Sequence, residues 1–409
     1  MAALHPDLSE WKLGWPAAAT ALLGTYFSVA FIYSSGVFIG PLEAELGWSR
    51  RDISFGISLF SFVGAIMTAT SGFFADRWGT RWVALTGIAF FSCSILLLTQ
   101  IGPAIWTWWA VAAFLGFAHG NVSSSVWTSG VLTHFEKSRG AALAVVQLGP
   151  ALTLATMPII ATQLITAFGW RGAYAAYAAL GLCVILPLVA LGFWDKRVVG
   201  AKGSDRFAQV EGLAPMEILK TLSIWQLAVA TIFAVTGLIG FSVHFVPMLV
   251  DRGFDRIAAA EIAALIGVGS VIGRISGGVL LDRLPATLVG CVAFSLPALG
   301  SCMLLSGISA VPLLSLSAFV LGLSLGAEVD VIAYIAARTF GMRRYSTALG
   351  WLVGCTTVGA GLGAWLAGAS HDLSGSYQAF QIGAVVTAGA SAMLIGTMRR
   401  QDFLPSTST

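Results

Sequence analysis

Charge is scarce in this chain. Only 10% of its 409 residues are Asp, Glu, Lys or Arg, against about 25% in soluble proteins. Hydrophobic residues make up 57% and the mean hydropathy is +0.85, so lipid rather than water must face most of the surface. A net charge of +3 without basic blocks excludes a nucleic-acid partner. Cysteine is also scarce. Cys93, Cys183, Cys291, Cys302 and Cys355 all fall in apolar stretches, and five is an odd number. They show no zinc-type spacing with histidine and are expected to be free thiols buried in helices. No nucleotide loop, catalytic triad or metal cluster is present, so neither an enzymatic activity nor a cofactor is expected. The N-terminus is polar and mixed in charge. It lacks the basic start and small-residue cleavage site of a signal peptide, so the first helix is expected to act as the targeting segment.

What the chain does have is long apolar runs. Spans of about 20 apolar residues are predicted near 16–40, 52–75, 82–101, 105–133, 140–166 and 172–194. A second set is predicted near 222–250, 257–281, 286–307, 311–339, 345–370 and 376–398. The expected fold is an all-α membrane protein with twelve transmembrane helices in two pseudo-symmetric six-helix bundles. The bundles are 1–194 and 221–409, and the polar stretch 195–220 is the linker. Sixteen of the 22 basic residues fall on one side of these spans, and only Arg50, Arg51, Arg171, Arg252 and Arg256 on the other. The positive-inside rule then makes both termini and the linker cytoplasmic. An inner-membrane, multi-pass monomer is expected.

The two sets of spans repeat each other at a fixed offset of 206 positions (72 to 278). Gly72, Asp76 and Arg77 recur as Gly278, Asp282 and Arg283. Pro41 falls on Pro247, Gly47 on Gly253, Gly116 on Gly322, Gly120 on Gly326 and Gly169 on Gly375. Glycine and proline fix backbone shape, so the matches point to a duplicated backbone. Chance matching in a glycine-rich chain is the alternative; the Gly-Asp-Arg cluster at equivalent helix ends argues against it. Ser49 and Asp255, at matching places, are suitable N-caps for the next helices. Two like-oriented halves are the plan of secondary transporters, with the substrate site near the repeat interface.

The segment Gly72-Phe-Phe-Ala-Asp76-Arg77-Trp-Gly79-Thr-Arg81 joins spans two and three. Its pattern, G-x-x-x-D-R-x-G-x-R, resembles the signature of the major facilitator superfamily, and the resemblance covers essentially the whole chain. The second copy stops at Asp282-Arg283, with Leu284 and Pro285 following. Glycine permits close helix approach, and Asp76 can accept charge-assisted bonds. The resemblance implies a gate biasing inward- and outward-open states; a plain loop that only orients the chain is the alternative.

Arg274 lies inside the eighth span, eight residues before Asp282. That is about 12 Å of helix, near the middle of a hydrocarbon layer of about 30 Å. An Arg at that depth marks a functional site by default, and its planar fork suits a carboxylate. A structural ion pair is the alternative. In span ten, Asp330 lies eight residues before Arg338, at nearly the same depth. Glu328, two residues away, points to almost the opposite face. Asp330 is expected to exchange a proton as substrate engages Arg274, and Glu328 to brace a neighbouring helix or to take the proton itself. Tyr26 and Tyr33, seven apart, share a face of span one. His119, Asn121, Gln147 and Tyr334 add polar groups to helices expected to line the cavity. His119 equally suits a packing role, and so does His244.

Ser28 to Phe38 resembles the first helix of monocarboxylate transporters, and Gly273-Arg274-Ile-Ser-Gly277 resembles their eighth, whose Arg binds the substrate carboxylate. Tyr33 stands where animal members have Lys, and Ser270 where they have Asp. Their proton relay is therefore not carried over intact. The bacterial oxalate–formate antiporter branch is the neighbouring comparison. The resemblance implies a secondary transporter of a small organic acid, a monocarboxylate or aromatic carboxylate, coupled to a proton or a counter-anion. Export of amphipathic drugs or transport of a neutral metabolite is the alternative within transport. A transport-dead sensor on the same scaffold is a third reading.

Overall fold

The computed structural model describes residues 8–135, 137–194 and 221–398, without the side chains at 8, 9, 69, 72, 73, 76 and 341–347. The predicted linker 195–220 therefore lies outside the described residues, as do the side chain of Asp76 and Arg399 and Arg400 near the C-terminus. Among the described residues every regular element is a helix.

The first span is α1 (Leu8–Ser28) and α2 (Ala30–Leu46), broken at Val29. Then come α3 (Arg50–Trp78) and α4 (Thr80–Leu97). The fourth span is interrupted: α5 (Ile105–His119), a 3-10 turn at Gly120–Val122 and α6 (Ser124–Val131). Next, α7 (Arg139–Leu180) passes through a π turn into α8 (Leu186–Gly192). The second set is α9 (Leu222–Val250), α10 (Arg256–Arg283), α11 (Ala286–Leu305), α12 (Val311–Ser374) and α13 (Gln378–Gly396).

Among the described residues, ten helices are long and apolar enough to cross a membrane. Two further spans follow from chain geometry. The run Arg139–Gly192 has 54 residues, about 80 Å of helix, far more than one crossing of about 30 Å needs. Gly169, with φ 68° and ψ 172°, divides it into the fifth and sixth spans. The interrupted α5–α6 segment supplies the fourth. The fold is thus twelve transmembrane helices.

Packing divides the chain into two compact units. One is Met1–Trp48 with Phe55–Ala201, the other Ser49–Ser54 with Lys202–Thr409. The core of the second unit gathers Ile224, Leu227, Phe294, Val331, Ile335 and Leu352.

The 206-position repeat is present in the backbone itself. Gly47 and Gly253 both have positive φ (69° and 88°), as do Gly169 and Gly375 (68° each). Ser49 Oγ accepts from Asp52 N at 3.1 Å, and Asp255 Oδ2 from Ile257 N at 2.9 Å, so both expected N-caps form. The close helix crossings match as well. A Cβ on Gly116 would overlap the Phe60 carbonyl oxygen, and a Cβ on Gly322 that of Ile266. Phe60 and Ile266 are themselves equivalent under the offset. Where the first copy has Gly79 (φ 83°), the second has Pro285 (φ −57°), which is why the loop signature is shortened there.

The cysteines depart from expectation. All five are free, but only Cys355 is buried; Cys93, Cys183 and Cys302 are exposed on the protein surface. A thiol behaves as a small hydrophobe, so a lipid-facing position suits it as well as a core does.

Candidate functional site

The second unit holds the charged residues of the candidate site. Helix α10 and the first part of α12 cross on glycines. Any side chain at Gly269 or Gly273 would strike the backbone of Phe319 or Leu323, and one at Gly326 the Ser270 carbonyl. Small residues four apart are what let membrane helices approach this closely. The crossing fixes the register: a Cβ on Gly326 would stand 2.8 Å from the Arg274 backbone nitrogen. One turn further along α12 comes Asp330. Arg274 and Asp330 are close enough to interact through their charges, yet they form no ion pair with each other or with another described residue. The Arg274 Nε is buried and has no hydrogen-bond partner among the described residues. An unpaired buried guanidinium nitrogen forfeits about 1–3 kcal/mol, which a ligand carboxylate would recover.

Tyr334 lies one turn beyond Asp330. Its hydroxyl accepts from Arg338 Nη2 at 2.9 Å, and the same guanidinium lies 5.3 Å from the ring centre. Glu328 differs from Asp330. It is 3% exposed, while Asp330 is half-buried. Glu328 follows Ser324 by one turn, and Ser324 Oγ donates to the Ala293 carbonyl of α11 at 2.7 Å. Glu328 therefore sits on the face of α12 that packs on α11.

The candidate residues of the first unit fall in two places. Tyr26 and Gln147 lie along the contact of α1 with α7, closed by Thr25 Oγ1 donating to Val146 O (2.8 Å) and Thr153 Oγ1 to Tyr26 O (2.8 Å). The Tyr26 hydroxyl bonds Thr156 Oγ1 at 2.7 Å, and Gln147 Oε1 accepts from Ser124 at 2.7 Å. Tyr33 is half-buried beyond the break at Val29. His119 and Asn121 lie elsewhere. The His119 ring packs against Phe60 and Phe91, with centroids at 5.0 and 6.0 Å. Asn121 borders a mainly apolar cleft with Met67, Phe74, Trp78, Phe90 and Phe117. His119 thus has the environment of a packing residue.

In the loop signature, Gly72 falls inside α3 and Arg77 is exposed. Gly79 turns the chain into α4, and Arg81 Nη2 donates to the Ala190 carbonyl of α8 at 2.7 Å. Asp282 and Arg283 are exposed at the end of α10. His244 is fully buried, its ring bonded to Ser54, Tyr377 and the Ala364 carbonyl at 3.0–3.1 Å. Two contributors escape a reading of the sequence. Gly269 extends the glycine row of α10, and its four-residue spacing from Gly273 was the available signal. Thr156, the partner of Tyr26, gives no signal at all.

A twelve-helix membrane protein with a duplicated backbone and two opposite charges at a close helix crossing in one copy is a membrane transporter in architecture. The sequence profile of the Major Facilitator Superfamily matches residues 21–327, and the chain belongs to that family. Bovine monocarboxylate transporter 13 is 24% identical over 408 residues, covering 95% of this chain and 90% of its own. An uncharacterized MFS-type transporter of Escherichia coli, YhjX, is 22% identical over 322 residues, covering 78% and 79%. Among solved structures, the nucleoside transporter NupG superposes with a TM-score of 0.74 at 14% identity, covering 94% of this chain and 97% of that one. The chain is a transporter, not an enzyme.

Proposed function

We infer that this protein is a secondary active transporter of small organic monoanions, monocarboxylates or aromatic carboxylates, working by alternating access in the inner membrane with both termini cytoplasmic. The observation that carries this reading is Arg274, a deep guanidinium whose Nε is buried without a partner. One central Arg suits one carboxylate, gripped through two parallel bonds.

Charge balance supports proton symport. Arg274 and Asp330 together are neutral at rest. A carboxylate arriving on Arg274 leaves one uncompensated negative charge in a poorly solvated place, which is costly. A proton on Asp330 removes it. Glu328 is the second candidate proton site, and exchange against another anion is the second coupling mode. The segment Gly72–Arg81, with Asp282 and Arg283, is assigned to gating.

The test is a thermal-shift screen of the purified protein against organic acids, because a ligand stabilises the state it binds. Uptake in proteoliposomes follows with the acids that score. Arg274→Lys keeps the charge and loses the planar fork. Undiminished affinity in that variant, shown to be folded, removes Arg274 from the substrate site.

A further inference from the structure

The break in the fourth span creates a site that the transport reading does not use. The 3-10 turn at Gly120–Val122 carries Asn121, whose backbone is pressed onto Gly87 of α4. A Cβ on Gly87 would stand 2.8 Å from the Asn121 carbonyl oxygen. The Asn121 side chain borders a cleft of about 370 Å³ between α3 and α4, all of it within the first unit. Met67, Phe74 and Trp78 line one wall, spaced seven and four apart on a single face of α3. Thr86 and Phe90 of α4 line the other, and Phe117 lies beside Asn121. Phe74 and Trp78 are stacked at 5.2 Å, and Phe90 meets Phe117 edge-on at 6.0 Å. The cleft follows α3 from Met67 to Trp78, about 16 Å of helix.

Three properties define the occupant. Trp78 and Phe117 on the cleft's edge are exposed apolar side chains of membrane-spanning helices, so the opening suits lipid rather than water. Among the described residues no charged side chain lines the cleft, and its aromatic walls suit a ring rather than an ion. The Thr86 hydroxyl is turned back onto the Trp82 carbonyl at 2.8 Å. That leaves the Asn121 amide, which makes no hydrogen bond among the described residues. An amide offers two donors and an acceptor, and leaving them unpaired at membrane depth is costly. A bare acyl chain would fill the walls and leave the amide unpaired. We propose that the cleft binds an uncharged aromatic molecule dissolved in the membrane. Its ring packs among Phe74, Phe90 and Phe117, and one hydroxyl or carbonyl bonds the Asn121 amide. The volume lies within the range of about 300–1,000 Å³ usual for small-molecule sites. This site is separate from Arg274, which belongs to the other unit and matches a charge.

The probe is para-phenylphenol, with biphenyl as the rings alone and para-phenylbenzoate as the charged counterpart. Saturable binding of the radiolabelled compounds is measured on the full chain in lipid nanodiscs, against empty nanodiscs, with affinities referred to the concentration in the lipid. The phenol should bind about fivefold more tightly than biphenyl, the worth of one neutral hydrogen bond. Asn121→Leu should bring the phenol down to the level of biphenyl. Thr86→Trp, at an exposed position on the cleft wall, should fill the cleft and abolish binding of both. The benzoate should not displace the phenol. Equal binding of phenol and biphenyl to the wild type means that an apolar filler such as an acyl chain occupies the cleft, and overturns the proposal. Phenol binding that survives Thr86→Trp, is undiminished in folded Asn121→Leu, or yields to the benzoate places the phenol elsewhere and also overturns it. So does the absence of saturable phenol binding to the wild type. If either variant fails to fold, the wild-type comparison of phenol with biphenyl and the benzoate competition still decide.

Discussion

Gly326 presses against the backbone of Arg274, with room for a hydrogen and no more: a Cβ there would stand 2.8 Å from the Arg274 nitrogen. The backbone of Arg274 is therefore held by the residue it faces on α12. In the first copy, a Cβ on Gly120 would stand 2.9 Å from the Thr68 nitrogen. The same contact is made twice, once beside a charge and once beside a hydroxyl.

Gly326→Val should force α10 and α12 apart. Overpacking of this kind costs about 1–3 kcal/mol and should lower Tm and weaken carboxylate binding together. Gly120→Val should lower Tm by a similar amount. Thermal unfolding of both variants in detergent checks this, and an unchanged Tm in Gly326→Val would contradict the close crossing.

Arg274→Lys should insert normally and bind carboxylates at least tenfold more weakly, because an ammonium cannot make the paired bonds of a guanidinium. Titration by thermal shift against the best acid measures the loss.

Much of this was legible beforehand, and the reasons are local. Ser49 and Asp255 cap helices because a side-chain oxygen ahead of an apolar run has a backbone N–H to accept from. The spacing of Arg274 and Asp330 from the charged residues Asp282 and Arg338 at eight positions each is read directly from the sequence. The break in the fourth span was not legible as such. Residues 105–133 read as one apolar run, yet the chain forms a 3-10 turn at Gly120–Val122 and extends at Ser123 (ψ 158°). Glycine, Asn and three serines in a row are weak helix formers, which was the signal. The facing of the cysteines was illegible for a different reason. In lipid, an outward surface is as apolar as an inward one, so hydropathy does not report which side of a helix is covered. The side-chain pairing of Tyr26 with Thr156 depends on tertiary contact alone.

Asp330→Asn should still bind and exchange labelled carboxylate, and should lose accumulation driven by a proton gradient. Glu328→Gln, changed on the face toward α11, is the control. Retained proton-driven uptake in Asp330→Asn excludes it as the coupling group; loss in Glu328→Gln alone moves the proton to the other carboxylate.

Asp76→Asn should change the balance of inward- and outward-open forms while leaving carboxylate affinity in place. Cysteine labelling from the two sides of the membrane reads that balance. Identical labelling in variant and wild type would remove Asp76 from gating.

The shared glycine crossing has a consequence for how the charged pair arose and how it can be handled. The helices of the first copy meet at the same contacts, Phe60 with Gly116 and Thr68 with Gly120, while carrying Thr68 and Ser124 where the second carries Arg274 and Asp330. The backbone geometry is therefore separable from the electrostatics placed on it. Within one molecule, the crossing in the first half is an uncharged twin of that in the second, and comparing matched substitutions in the two isolates what the charges alone contribute.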